Sequence, residues 1–319
     1  MSSTAPARIV PLLATALLAV SASESPAQTR AVAVTVDDLP HVGGSGTLSE
    51  ARRVTSAMTE VLERRRVPAS GFVTGKRVLV AGQVEERLEL LREWVRAGTT
   101  LENHSYSHES FHRVPAWRHR DDVVRGQLLP SRIAAEFGDT VRFYRHPFNH
   151  AGETLAIRER FAEFLARRDL EVAPFTVEHA DYLYNRLYVA ARAAGDTAGM
   201  RRVGRAYLDQ LDRGFAFAEE LAAETFDRPI PQVFLIHANG INADYLARML
   251  DRLEARGYRF VSLAEAVEDP AYASPDGYSG TAGVSWLHRW REGLGLEDRL
   301  RDEPDPPAWA LEAYRELGS

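Results

Sequence analysis

Ala31-Val32-Ala33-Val34-Thr35-Val36-Asp37-Asp38 is an apolar, largely β-branched run that stops at two carboxylates. The run reads as a strand. Polar side chains at the end of a strand meet those of its neighbours at one rim of a sheet or barrel, where α/β enzymes keep their chemistry. Adjacent residues leaving a strand point in roughly opposite directions, so Asp37 and Asp38 are expected to do different jobs. Read alone, Asp37-Asp38-Leu39-Pro40 is also a good turn.

Strand and helix alternate outward from this point. Helical spacing covers 48–66, a second strand 69–73, a helix 84–97, and a third short strand 99–102. A helix over 116–137 precedes strand 141–144, and a helix over 153–168 precedes strand 170–173. A long, mostly helical stretch over 181–224, with a break near Gly195, leads to strand 232–236, helix 243–256 and strand 258–262. Such alternation means βα units around a parallel sheet of about seven strands, either open and doubly wound or an incomplete barrel. The 181–224 stretch exceeds what one barrel helix needs and reads as a helical insertion. The tail, 269–319, is rich in Pro, Gly and aromatics, and Ser285–Trp290 is expected to pack a short helix back on the body.

The 319 residues are 45% hydrophobic and 26% charged, an ordinary globular composition. A net charge of -6 without a long basic block argues against nucleic acid as the main partner. There is no cysteine, so any metal is held by His, Asp or Glu, which favours zinc or a similar borderline ion. The chain opens with Arg8 and an apolar run over 9–22, then Ser25-Pro26-Ala27. This is the pattern of a signal peptide over 1–27, with Gln28 starting the mature chain and export to a periplasm or the exterior. No other segment is long and apolar enough to predict a transmembrane helix.

Two more segments carry metal or acid–base residue types. In His104-Ser105-Tyr106-Ser107-His108 the histidines are four apart. On a helical first turn they would share a face and reach one ion, leaving an open position if a carboxylate joins them. His237 ends the apolar run Val233–Ile236 and reads as a buried histidine or a proton donor. Arg145-His146-Pro147-Phe148 follows the fourth strand, where Arg145 can hold a carboxylate through a two-pronged contact. His146 and His150 flank that segment as candidate cleft residues. His41, His112, His119, His179 and His288 read as surface or loop residues.

Taken in order, Thr35-Val36-Asp37-Asp38, His104–His108, Arg145–Phe148 and Leu235-Ile236-His237 resemble the polysaccharide deacetylases with a NodB-homology domain, carbohydrate esterase family four. The resemblance runs from about Ala31 to Ala266. It implies a distorted, incomplete (β/α) barrel over 28–268 with one divalent metal ion, zinc foremost and cobalt or another ion as an alternative. It further implies Asp38, His104 and His108 as metal ligands, Asp37 as general base and Arg145 as the residue orienting it. The amide of Phe148 would serve the oxyanion, Leu235 the acetyl methyl pocket, and His237 the general acid. Glu178-His179-Ala180-Asp181-Tyr182 resembles the family's fourth motif, with Asp181 tuning His237 and Tyr182 as a pocket wall. Glu178 and Tyr182 stand where Asp and Trp are usual, and Val36 where Phe is usual. The expected function is deacetylation of an acetylated polysaccharide or oligosaccharide. An O-acetyl esterase or small-molecule amidase, or a non-catalytic glycan-binding protein, are the alternatives. No sequence signal speaks for an oligomeric state.

Overall fold

The computed structural model describes residues 1–2 and 30–318. Apart from its first two residues, the leader expected over 1–27 lies outside them. Seven parallel strands carry the fold: β1 (Arg30–Leu39), β2 (Ala69–Val73), β3 (Thr100–Asn103), β4 (Phe143–Tyr144), β5 (Glu171–Val172), β6 (Gln232–His237) and β7 (Tyr258–Val261). Between them run α1 (Leu48–Arg65), α2 (Gly75–Val78), α3 (Val84–Arg96), α4 (Ala116–Glu136), α5 (Leu155–Ala166), α6 (Asp181–Ala193), α7 (Thr197–Phe226) and α8 (Gly240–Ala255). Beyond β7 come α9 (Leu263–Val267), α10 (Trp286–Gly293) and α11 (Ala308–Glu316). The sheet order is β5-β4-β3-β2-β1-β6, with β7 paired to the first residues of β1, and the whole is an incomplete, distorted (β/α) barrel.

β1 is central because it is apolar on both faces. Val32, Val34 and Val36 enter the large core shared with the helices, whereas Ala31 and Ala33 join a second cluster with Phe72, Val233 and Leu235. Burying each such Val is worth about 1.5–3 kcal/mol. Asp37 continues the row of Ala31, Ala33 and Thr35 and arrives at the rim opposite His237 of β6. Asp38 belongs by alternation to the other face. A register shift between Val36 and Leu39 in the β1–β2 ladder, with Asp38 at φ +67°, turns it to the same cavity as Asp37. A bulge at a sheet rim is the device that does it.

β4 and β5 are two residues each, shorter than the runs 141–144 and 170–173 read from sequence. The Glu102 carboxylate accepts from the amides of Arg142 and Phe143 at 2.9 and 2.8 Å, so side-chain bonds replace part of the ladder at the start of β4. α8 starts at Gly240 instead of 243, because Asn239 caps it by accepting from Asn242 N at 3.0 Å. α6 and α7 part at Gly195, whose φ of +68° ends a helix without strain. Ser285 and Trp286 bond the carbonyls of Thr176 and Phe175, seating α10 on the body. No helix among the described residues is long and apolar enough to cross a membrane.

Candidate active site

The strand ends converge on a cavity of about 1030 Å³. Asp37, Asp38, His104, His108, Phe148, Tyr182, Leu235 and His237 all line it. One ligand atom from each of Asp38, His104 and His108 falls within 4.8 Å of the others. The two histidines do not share a helical face, as the sequence reading expected. They sit in a loop after β3 in which Ser105 and His108 adopt φ of +67° and +60°. Left-handed residues at these points break the helical path, and α4 fixes the result. Asp122 accepts from Ser107 N at 3.0 Å and Ser107 Oγ at 2.8 Å, and its carbonyl accepts from Tyr106 N at 3.1 Å.

The donor set suits a divalent ion such as zinc: one carboxylate and two imidazoles. His104 Nδ1–H donates to the Arg145 carbonyl at 2.9 Å, leaving Nε2 as a lone-pair donor toward the site. Burial lowers the pKa of His108 to about 4, keeping it in the neutral form a metal ligand needs. Burial pushes the Asp38 carboxyl up, but His108, Arg77 and His104 outweigh it and hold the group well below the usual carboxylate range.

Arg145 joins the two halves of the centre. Its guanidinium is fully buried over the Phe72 ring and donates to Asp37 Oδ1 at 3.0 Å, Thr35 Oγ1 at 2.7 Å and the Pro174 carbonyl at 3.0 Å. The contact to Asp37 is thus single-pronged, not two-pronged, because Nη1 is shared between Asp37 and Thr35 while Nη2 turns to the Pro174 carbonyl. Across from Asp37, His237 Nδ1–H donates to Asp181 Oδ1 at 2.7 Å. Asp181 Oδ2 accepts from His237 N at 2.7 Å, Asn242 Nδ2 at 2.6 Å and Asn239 Nδ2 at 3.1 Å. Burial alone would lower the His237 pKa. Asp181 reverses this, with help from Asp37 and Asp38, and lifts it to about 10. Glu178 also lines the cavity, and burial raises its carboxyl to about 7.

Sequence reasoning missed four residues. Arg77 donates to both oxygens of Asp38, at 3.0 and 3.3 Å, and Thr74 Oγ1 donates to Oδ1 at 2.8 Å. Thr74 follows β2 directly, and that position on a rim strand was the available signal; Arg77 lies in α2 and offered none. Asn239 and Asn242 grip Asp181 from the start of α8, where an Asn cap was readable. His146 lines the cavity, whereas His150 is not among its lining residues and bonds Ser110. His41, His119, His179 and His288 are buried, correcting their surface reading. His119 stacks on Phe111 at 4.3 Å and His179 on Tyr207 at 4.6 Å. Burial lowers both pKa values to about 4, so each packs as a neutral aromatic ring.

No curated protein matches the sequence. Among solved structures, similar folds include a mutant of a CE4 family pseudoenzyme with restored enzymatic activity (TM-score 0.52, 18% identity, covering 75% of this chain and 68% of that one). The wild-type pseudoenzyme from Bacillus anthracis gives a TM-score of 0.52 at 16% identity, over 75% of this chain and 66% of that one. The peptidoglycan deacetylase PdaC from Bacillus subtilis gives 0.50 at 17%, over 76% and 91%. Residues 24–164 match the polysaccharide deacetylase family model. That match takes in both carboxylates, both histidines of the triad and Arg145, and over this stretch the chain is similar to the polysaccharide deacetylases.

Proposed function

We propose that this protein is a metal-dependent hydrolase that removes N-acetyl groups from an acetylated glycan. The observation that carries the reading is the pairing of Asp37 with His237 across the β1–β6 ladder, directly beside the Asp38, His104 and His108 triad. A divalent ion at that triad, zinc by donor type, would polarise the amide carbonyl and lower the pKa of water toward about 7. Asp37, held by Arg145, takes the proton of the attacking water. His237, protonated at neutral pH, gives its proton to the departing amine, which leaves poorly as an anion; such proton transfers contribute about 10²–10⁴-fold. Asp181 keeps the His237 ring oriented and charged. The Phe148 amide supports the oxyanion, a donor of a kind worth about 3 kcal/mol. Leu235 and Tyr182 wall the acetyl pocket.

A glycan-binding protein without activity is the less favoured reading, since base, acid and all three ligand residues are present. The reading is tested by acetate release from N-acetylglucosamine oligomers, peptidoglycan and acetylated xylan, each with a chelated control. Metal-dependent acetate from an amino sugar is expected. Release from the xylan alone would move the assignment to an O-acetyl esterase. We further propose export with cleavage before Gln28; N-terminal sequencing of the secreted protein checks it, and a mature chain still carrying 1–27 would refute it.

A further inference from the structure

The cavity does not end at the reacting centre. It continues along α6, where Tyr182, Val189, Ala190 and Ala193 line it together with Tyr314 and Leu317 from the C-terminal end of the chain. From Tyr182 to Ala193 the helix rises about 16 Å, so this arm is long. The Val42–Gly44 loop also lines the cavity and lies so close to α6 that a Cβ on Gly43 would meet the Asn185 side chain at 2.7 Å.

The arm is apolar in a way that a sugar subsite is not. Two polar side chains of α6 reach it, and each is already engaged. Arg186 donates to the Leu317 carbonyl at 2.6 Å and lies over the Tyr314 ring at 5.5 Å. Asn185 accepts from Ile241 N at 3.1 Å. No carboxylate lines the arm beyond Glu178. Meanwhile Tyr182 and Leu317 remain 54% and 43% exposed, and Phe148 at the reacting end 55%. Large apolar side chains left open to water and gathered in one cavity mark a ligand site.

We propose that the arm binds an apolar substituent of the substrate, so that the enzyme acts on an amphipathic N-acetyl amino sugar. The amide lies at the triad, and an alkyl or aryl group attached to the sugar lies between α6, Tyr314 and Leu317. This rests on the deacetylase reading for the amide end only; the apolar arm stands on its own lining.

The test compares kcat/KM for N-acetylglucosamine with its hexyl and phenyl glycosides, using the full metal-loaded chain, and measures hexyl glucoside binding by calorimetry. At least a tenfold advantage for the hexyl or phenyl compound is expected, and the larger of the two advantages identifies the substituent as alkyl or aryl. Ala193→Glu places a carboxylate in the arm at an exposed helical position, and Leu317→Ser removes an apolar wall. Either should bring the ratio of the two kcat/KM values toward one and weaken hexyl glucoside binding at least fivefold. Equal kcat/KM for all three sugars, or no heat of binding with hexyl glucoside, overturns the proposal. Acetate from none of them, with hexyl glucoside bound to the wild type and lost in Ala193→Glu, would sink the deacetylase reading and uphold the arm.

Discussion

Asp37 is bonded to Arg145 and stands 3.8 Å from His104 Nε2, whereas Asp38 is bonded to Arg77 and Thr74 and stands 3.6 Å from His108 Nε2. Neighbours in sequence therefore have separate partners, which is the physical basis for separate roles. Asp37→Asn keeps the shape and removes the basic oxygen. It should bind one equivalent of metal as before and lose about 10²–10⁴-fold in kcat; near wild-type turnover would exclude Asp37 as the base. The pair His237–Asp181 gives a pH prediction. The acid must be protonated, and with Asp181 charged the ring holds its proton up to about pH 10. Asp181→Asn removes the group that raises that pKa most, so the alkaline limb of kcat/KM should move to lower pH. A limb that stays in place would show that another group controls it. Asp37, Asp38 and His237 were readable as residue types at strand ends. Arg77 was not, because nothing local says which carboxylate a guanidinium will reach.

The His104–His108 loop depends on α4. Gly126 lies where a Cβ would overlap the backbone of Ser105 and Tyr106, and backbone cannot yield as a flexible side chain does. Gly126→Ala should therefore destabilise the protein by about 1–3 kcal/mol despite the better helix propensity of Ala. It should also weaken metal binding, since the displaced loop carries two of the proposed ligands. A variant with unchanged melting temperature and metal affinity would refute this coupling. The helices themselves were legible from spacing and stop signals. The short β4 was not, because Glu102 takes the amides of Arg142 and Phe143 from a distance of forty residues in sequence.

For the whole molecule, a metal that binds only the folded chain stabilises it by about 2.7 kcal/mol at 100 times its Kd. For a domain of this size that raises the melting temperature by roughly 4–5 °C. Zinc should produce this shift in the wild type and not in His104→Ala; an equal shift in both would mean that the ion binds elsewhere. The alternation of strand and helix, the parallel sheet, and the chemistry-bearing residue types at the ends of β1, β3 and β6 were already legible in the sequence, because periodicity and strand-end chemistry are local properties. Tertiary structure alone settled that Asp37 and Asp38 open on one cavity, that the two histidines meet in a left-handed loop, that His41, His119, His179 and His288 are buried, and that α6 and α11 flank an apolar arm. Each of those outcomes depends on a bulge, a buried contact or a packed pair between residues far apart in the chain, and the free energy of such contacts is not written in any one segment.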